Sequence, residues 1–145
     1  MSFVRNWIHL VFSTKGRMPL LVSAIRQTVF QHIRKQGLAN GIQMDFVNGY
    51  YDHIHCLFML PSTMPLSKAV QLLKGESSRW INQDGLTAEP FEWQDEYYAE
   101  SIGVNDVERV RAYIKNQEDH HKNISFESEI ERNGYFKESG KKITD

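Results

Sequence analysis

The segment that most limits the fold is FVRNWIHLVFS, residues 3–13. Read as a strand, it puts Trp7, His9 and Val11 on one face and Ile8, Leu10 and Phe12 on the other. Side chains alternate faces along a strand, and apolar residues on both faces mean that both must be covered. This strand is therefore predicted to lie in the middle of a sheet with a layer of structure on each side. Such an arrangement needs a full domain, and 145 residues supply one, with at most a short tail.

The remaining elements follow from periodicity and breakers. Thr14–Pro19 is a basic loop broken by Gly16 and Pro19. Ser23 is placed to cap a helix from Ala24 to about Leu38, which Gly37 or Gly41 can end. Ile42–Gly49 and Asp52–Leu60 read as two strands of a hairpin turning at Gly49-Tyr50-Tyr51. Leu66–Asn82 reads as a second helix with Val70, Leu73 and Trp80 near one stripe, and Tyr97–Ile102 as a fourth strand. Asn105 or Asp106 then caps a third helix, expected to run to about His121 with Val107, Val110 and Ile114 facing inward. The order β-α-β-β-α-β-α predicts an α+β, ferredoxin-like (RRM-like) layout. Its antiparallel four-stranded sheet has helices on one face and is followed by a C-terminal helix. Residues 1–123 are expected to form the functional domain and residues 124–145 a polar tail. A fold of this kind hosts many activities and assigns none.

Composition excludes several classes. Hydrophobic residues make up 41% and charged residues 24%, which excludes a disordered chain. A single cysteine, Cys56, excludes a disulfide framework. No stretch is apolar enough for a bilayer span, and the start lacks the pattern of a secretory signal, so a cytoplasmic protein is expected. The formal net charge of -1 conceals a division. Residues 1–80 carry nine Lys and Arg against three acids, and residues 81–145 carry eight against fifteen. A basic first half invites a polyanionic partner, whose binding would weaken steeply with salt.

Two spacings carry chemistry. His53 and His55 fall on one face of a strand, about 7 Å apart along it, with Ile54 on the other. Two imidazoles on one face can ligate a metal ion but cannot close a zinc site, which takes four ligands. Spacing alone equally admits two ordinary half-exposed histidines. On the third helix, Tyr113 and Gln117 stand at i and i+4, on the face that also carries Val110 and Ile114. Both polar groups therefore point toward the body of the protein, where an unpartnered amide costs about 1–3 kcal/mol. Asp52 is adjacent to His53. It either orients that imidazole or ends a turn, and strand alternation, which turns it away from His53, favours the turn.

In four stretches the chain resembles the single-tyrosine transposases of the insertion sequence 200/605 family, which share a His-hydrophobic-His motif. These are IHLVFSTKGRMPLL from Ile8, DHIHCLF from Asp52, LLKGESSR from Leu72 and YIKNQ from Tyr113. The resemblance implies a homodimeric DNA transposase with Tyr113 as nucleophile and His53, His55 and Gln117 as ligands of a divalent metal. It also implies a target of single-stranded DNA with hairpins at the ends of a mobile element. In such enzymes the tyrosine helix can serve the partner's metal site, and Gly103-Val104-Asn105 would supply the flexible connection.

The chemistry is coherent. Attack by a tyrosine on phosphorus conserves the phosphodiester energy in a phosphotyrosine link and frees a 3′-hydroxyl that can reverse the step. A phenol with a pKa near 10 needs help at neutral pH, which a metal bound to phosphate oxygens gives. An amide oxygen among the ligands favours Mg2+ or Mn2+. Lys15, Arg17, Lys74 and Arg79 are candidate DNA contacts, whereas His9, His32, His120 and His121 receive no role. Two other readings remain: a domesticated relative that binds or nicks repeat hairpins, and a non-catalytic nucleic-acid-binding module that uses the sheet as a platform.

Overall fold

The computed structural model describes residues 2–117 and two short strands at 137–138 and 141–142. Trp7–Ser13 forms β1, which is central as its two apolar faces require. It pairs antiparallel with β3 (His53–Met59) on one side and β4 (Tyr98–Ile102) on the other. β2 (Gln43–Gly49) completes the sheet outside β3, giving the order β2-β3-β1-β4 of a ferredoxin-like fold. Helices α1 (Ser23–Ala39) and α2 (Leu66–Gln83) cover the face that carries Ile8, Leu10, Phe12, Ile54, Cys56 and Phe58. Helix α3 (Val107–Lys115) covers the other face. There Val107, Val110 and Ile114 pack with Val11, Leu57 and Ile102. The sheet is thus sandwiched, and the strand faces deduced from alternation are the faces observed.

Several boundaries differ from expectation for identifiable reasons. α1 is capped by Val22, without a side-chain hydrogen bond, and Ser23 is its first residue. Gly37 does not end the helix but lies buried within it, where an added Cβ would meet the side chains of Met44 and Leu73. The chain turns instead at Gly41, with φ +82°. α3 follows a 3-10 turn at Val104–Asp106, and its regular part stops at Lys115. The expected extension to His121 lies outside the described residues, as does most of the tail predicted for residues 124–145. Within that tail, Lys137–Glu138 (β5) pairs with Lys141–Lys142 (β6). None of the helices in the described residues is long and apolar enough to cross a membrane.

The aromatic residues mostly serve the core. Trp93 packs edge-on against Phe12 and Phe91 at 4.7 and 4.6 Å. Its indole N–H donates to the buried Ser77 hydroxyl at 2.9 Å, and Ser77 in turn donates to the Leu73 carbonyl at 2.6 Å. The stretch LLKGESSR therefore places a structural serine at the centre of α2.

Candidate active site

β3 positions the two histidines. Both are fully buried, and both project onto the face covered by α3. Ser13 pairs with His53, while Val11 and Asn48 flank His55 in the neighbouring strands. Their rings lie 5.1 Å apart, at 74° to one another.

Each imidazole is held through Nδ1. In His53 it lies 2.8 Å from Asp52 Oδ1. This corrects the expectation that Asp52 turns away. Asp52 precedes the strand and sits in the turn, so strand alternation does not govern its side chain. In His55, Nδ1 lies 2.9 Å from Nε2 of His9. His9, which sequence reasoning left without a role, is thereby part of the site. An orienting partner on one ring nitrogen fixes the other as the coordinating atom, the usual arrangement around metal-binding histidines.

α3 supplies Tyr113, and Gln117 follows two residues past the last residue of that helix. The Gln117 Oε1 stands 3.4 Å from Nε2 of His53, and Gln117 is itself fully buried. The Gln117 amide N–H donates to the Tyr113 carbonyl at 3.3 Å, which turns its oxygen toward the histidine. The half-buried Tyr113 ring stands edge-on to His55 at 5.7 Å and to His9 at 6.3 Å. The i, i+4 spacing of Tyr113 and Gln117 therefore brings both onto the histidine strand of the same chain.

Two contacts that sequence reasoning missed hold α3 there. Asn48 donates through Nδ2 to the carbonyls of Ile114 and Lys115 at 2.9 and 3.2 Å, satisfying groups a helix end leaves open. Because Asn48 is paired with His55, it ties the end of α3 to the histidine's own position in the sheet. Arg111 makes a two-pronged ion pair with Asp45, with both N–O distances 2.7 Å. That bonded carboxylate holds the Arg111 guanidinium above its usual value despite partial burial. Period and propensity say little about either pair, because each joins elements distant in sequence.

The donor set suits a hard divalent cation. The 3.4 Å between His53 Nε2 and Gln117 Oε1 fits two ligands on one ion, and the His55 ring lies 5.1 Å from that of His53. With metal–ligand bonds near 2.1 Å, such atoms stand roughly 3.0–3.4 Å apart. Among the described residues no cluster of three His, Cys, Asp or Glu side chains could hold a metal ion, so a cation held by these histidines would draw on a donor of another type, such as Gln117.

The four basic candidates scatter. Lys15 and Arg17 lie on the loop after β1, at the end of the sheet where β3 begins with His53. Lys15 is paired with Glu92 at 3.1 Å, and both side chains are well exposed. Lys74 donates to the carbonyls of Gln94 and Asp95 at 2.5 and 2.9 Å, and partial burial lowers its ammonium pKa. It pins the loop before β4 to α2. Arg79 is exposed further along α2, on the opposite side of the sheet from Tyr113.

The comparisons with known proteins bear on the family and the fold. Residues 2–117 match the family model described as "Transposase IS200 like". The transposase of insertion sequence element IS200 from Salmonella typhimurium is 29% identical over 114 residues, covering 75% of this chain and 74% of the relative. The counterpart from Salmonella typhi is equally similar, at 29% over 114 residues. Among solved structures, a candidate transposase from Deinococcus radiodurans superposes with a TM-score of 0.64 at 22% identity, covering 81% of this chain and 95% of that one. A REP-associated tyrosine transposase bound to a REP hairpin gives 0.62 at 14% identity, covering 86% and 73%. At those identities the two structures establish the shared fold. The match across residues 2–117, most of the chain, settles the classification: the chain belongs to the family of IS200-like transposases.

Proposed function

We propose that this transposase cuts and rejoins single-stranded DNA through a 5′-phosphotyrosine on Tyr113, with Mg2+ or Mn2+ held by His53, His55 and Gln117. The observation that carries the reading is that both histidines have Nδ1 engaged, one by Asp52 and one by His9, while Gln117 Oε1 stands 3.4 Å from Nε2 of His53. Gln117 presents an oxygen to one of them and Tyr113 borders the other.

Bound there, a divalent cation would polarise the scissile phosphate and offset charge in the transition state. The chain's own groups do the rest. Tyr113 Oη attacks phosphorus as its proton leaves, forming the Tyr–O–P bond. The bond from phosphorus to the 3′ oxygen breaks, and that oxygen departs as a hydroxyl after taking up a proton. The released 3′-hydroxyl can attack the phosphotyrosine and restore a phosphodiester, so no external energy source is required. Gln117 and the histidines fix positions, and the sheet beneath them excludes water from one side.

Single-stranded DNA bearing hairpins is the proposed substrate. Support comes from the REP-hairpin complex of the similarly folded transposase and from the basic residues Lys15 and Arg17 at the histidine end of the sheet. A homodimer is proposed from the family resemblance. A sheet-platform binding module is disfavoured, because α3 covers the face such a module would use.

The test is cleavage of single-stranded element ends with Mg2+ or Mn2+. Wild type should cleave, while Tyr113→Phe, His53→Ala and metal-free wild type should not. Cleavage by Tyr113→Phe at the wild-type rate would overturn the proposal.

A further inference from the structure

We infer that His9 is a positioning residue that sets the tautomer and angle of His55. The inference rests on the reading of His55 as a metal ligand. His9 lies on β1 with Trp7 and Val11 on its face, and it is fully buried. A polar ring in that setting costs about 1–3 kcal/mol unless its nitrogens are bonded. An aliphatic side chain would fill the space without that cost. His9 bonds to His55 at 2.9 Å, with the two rings stacked 5.1 Å apart and 25° from parallel.

A bond between two imidazoles needs one N–H and one lone pair. For His55 to offer the Nε2 lone pair to a cation, a neutral His55 must carry its proton on Nδ1 and donate to His9 Nε2. His9 must then accept, with its own proton on Nδ1. The reverse assignment would put the His55 proton on Nε2 and block coordination. Nε2 of His9 is engaged with Nδ1 of His55, the nitrogen on the side away from the coordinating one, so that atom is not offered to the cation. It thus performs for His55 the service Asp52 performs for His53, with a neutral ring in place of a carboxylate. The sheet register explains the pairing. His9 is opposite Leu57, two residues along β3 from His55, a diagonal neighbour within reach of long or aromatic side chains.

The experiment uses the full chain, with Mn2+ alone as probe. Long-range proton–nitrogen NMR of the metal-free wild type should show the His55 proton on Nδ1. His9→Leu should weaken Mn2+ binding, followed by electron paramagnetic resonance, by about 10–100-fold, the usual cost of losing an orienting partner. His9→Gln, whose amide oxygen can accept in place of Nε2, should return affinity to within a few-fold of wild type. A wild-type His55 proton on Nε2 overturns the inference whether or not the variants fold, and so does folded His9→Leu with wild-type Mn2+ affinity. His55→Ala separates the two claims. If it abolishes binding while His9→Leu does not, only the role of His9 falls; if His55→Ala still binds as wild type, the metal site falls with it.

Discussion

Gln117 Oε1 and His53 Nε2 stand 3.4 Å apart although 64 positions separate the two residues in the chain. The approach is built from both sides. Asp52 fixes the ring, the Tyr113 carbonyl fixes the amide, and Asn48 fixes the helix end that carries the glutamine. A cation bound between them would draw on a preformed pair, so little ordering entropy is spent on binding.

Gln117→Leu should accordingly weaken Mn2+ binding by at least about tenfold while leaving the fold intact. Gln117→Glu should tighten it, because a carboxylate is a stronger hard ligand than an amide. Calorimetric titration of both variants checks the pair; equal affinity in wild type and Gln117→Leu would remove the glutamine from the site.

α3 docks on its own sheet through Arg111–Asp45 and Asn48, which puts Tyr113 beside the histidines of its own chain, and the proposed site is read as acting within that chain. Mixing Tyr113→Phe with His53→Ala should then restore no cleavage, since each protomer lacks half of its own site. Recovery to about a quarter or more of wild-type activity would mean that the tyrosine helix exchanges between partners. Breaking the latch by Arg111→Met should cost about 1 kcal/mol of stability, as for a half-exposed two-pronged pair. It should lower cleavage more than Mn2+ affinity.

Much of this was legible from the sequence. The alternation in β1 gives a central strand, and the two motif spacings select the correct faces of β3 and α3. What stayed hidden depends on non-local geometry. Strand periodicity could not report on Asp52, which belongs to a turn, and no local pattern could tell that His9 lies diagonally across from His55. A histidine within an otherwise apolar β1 was the one available signal for it. Lys74 and Ser77 show the converse: a stretch matched as a candidate DNA contact contains residues bonded inward to Gln94, Asp95 and Trp93.

Ser77→Ala therefore tests structure against binding. It removes the acceptor of the Trp93 indole N–H, leaving a buried donor, and should destabilise by about 1–3 kcal/mol. Hairpin DNA affinity of the folded protein should not change. Chemical denaturation and a filter-binding titration on the same preparation check this.

Cys56 is fully buried, and burial raises its thiol far above the ordinary value of 9.0. A folded value above the unfolded one contributes stability that is complete below the unfolded pKa. That stability declines as pH rises beyond it, because the unfolded thiol releases its proton and the folded one does not. Stability should therefore drop above about pH 9 by more than in Cys56→Ala. Native protein should resist thiol reagents, with labelling following unfolding.

The most direct measurement is peptide mapping by mass spectrometry of the covalent product formed with single-stranded element ends in Mg2+ or Mn2+. The account predicts a nucleotide 5′-phosphate attached to Tyr113, with no adduct when metal is chelated. An adduct on any other residue, or one that persists in Tyr113→Phe, would contradict it.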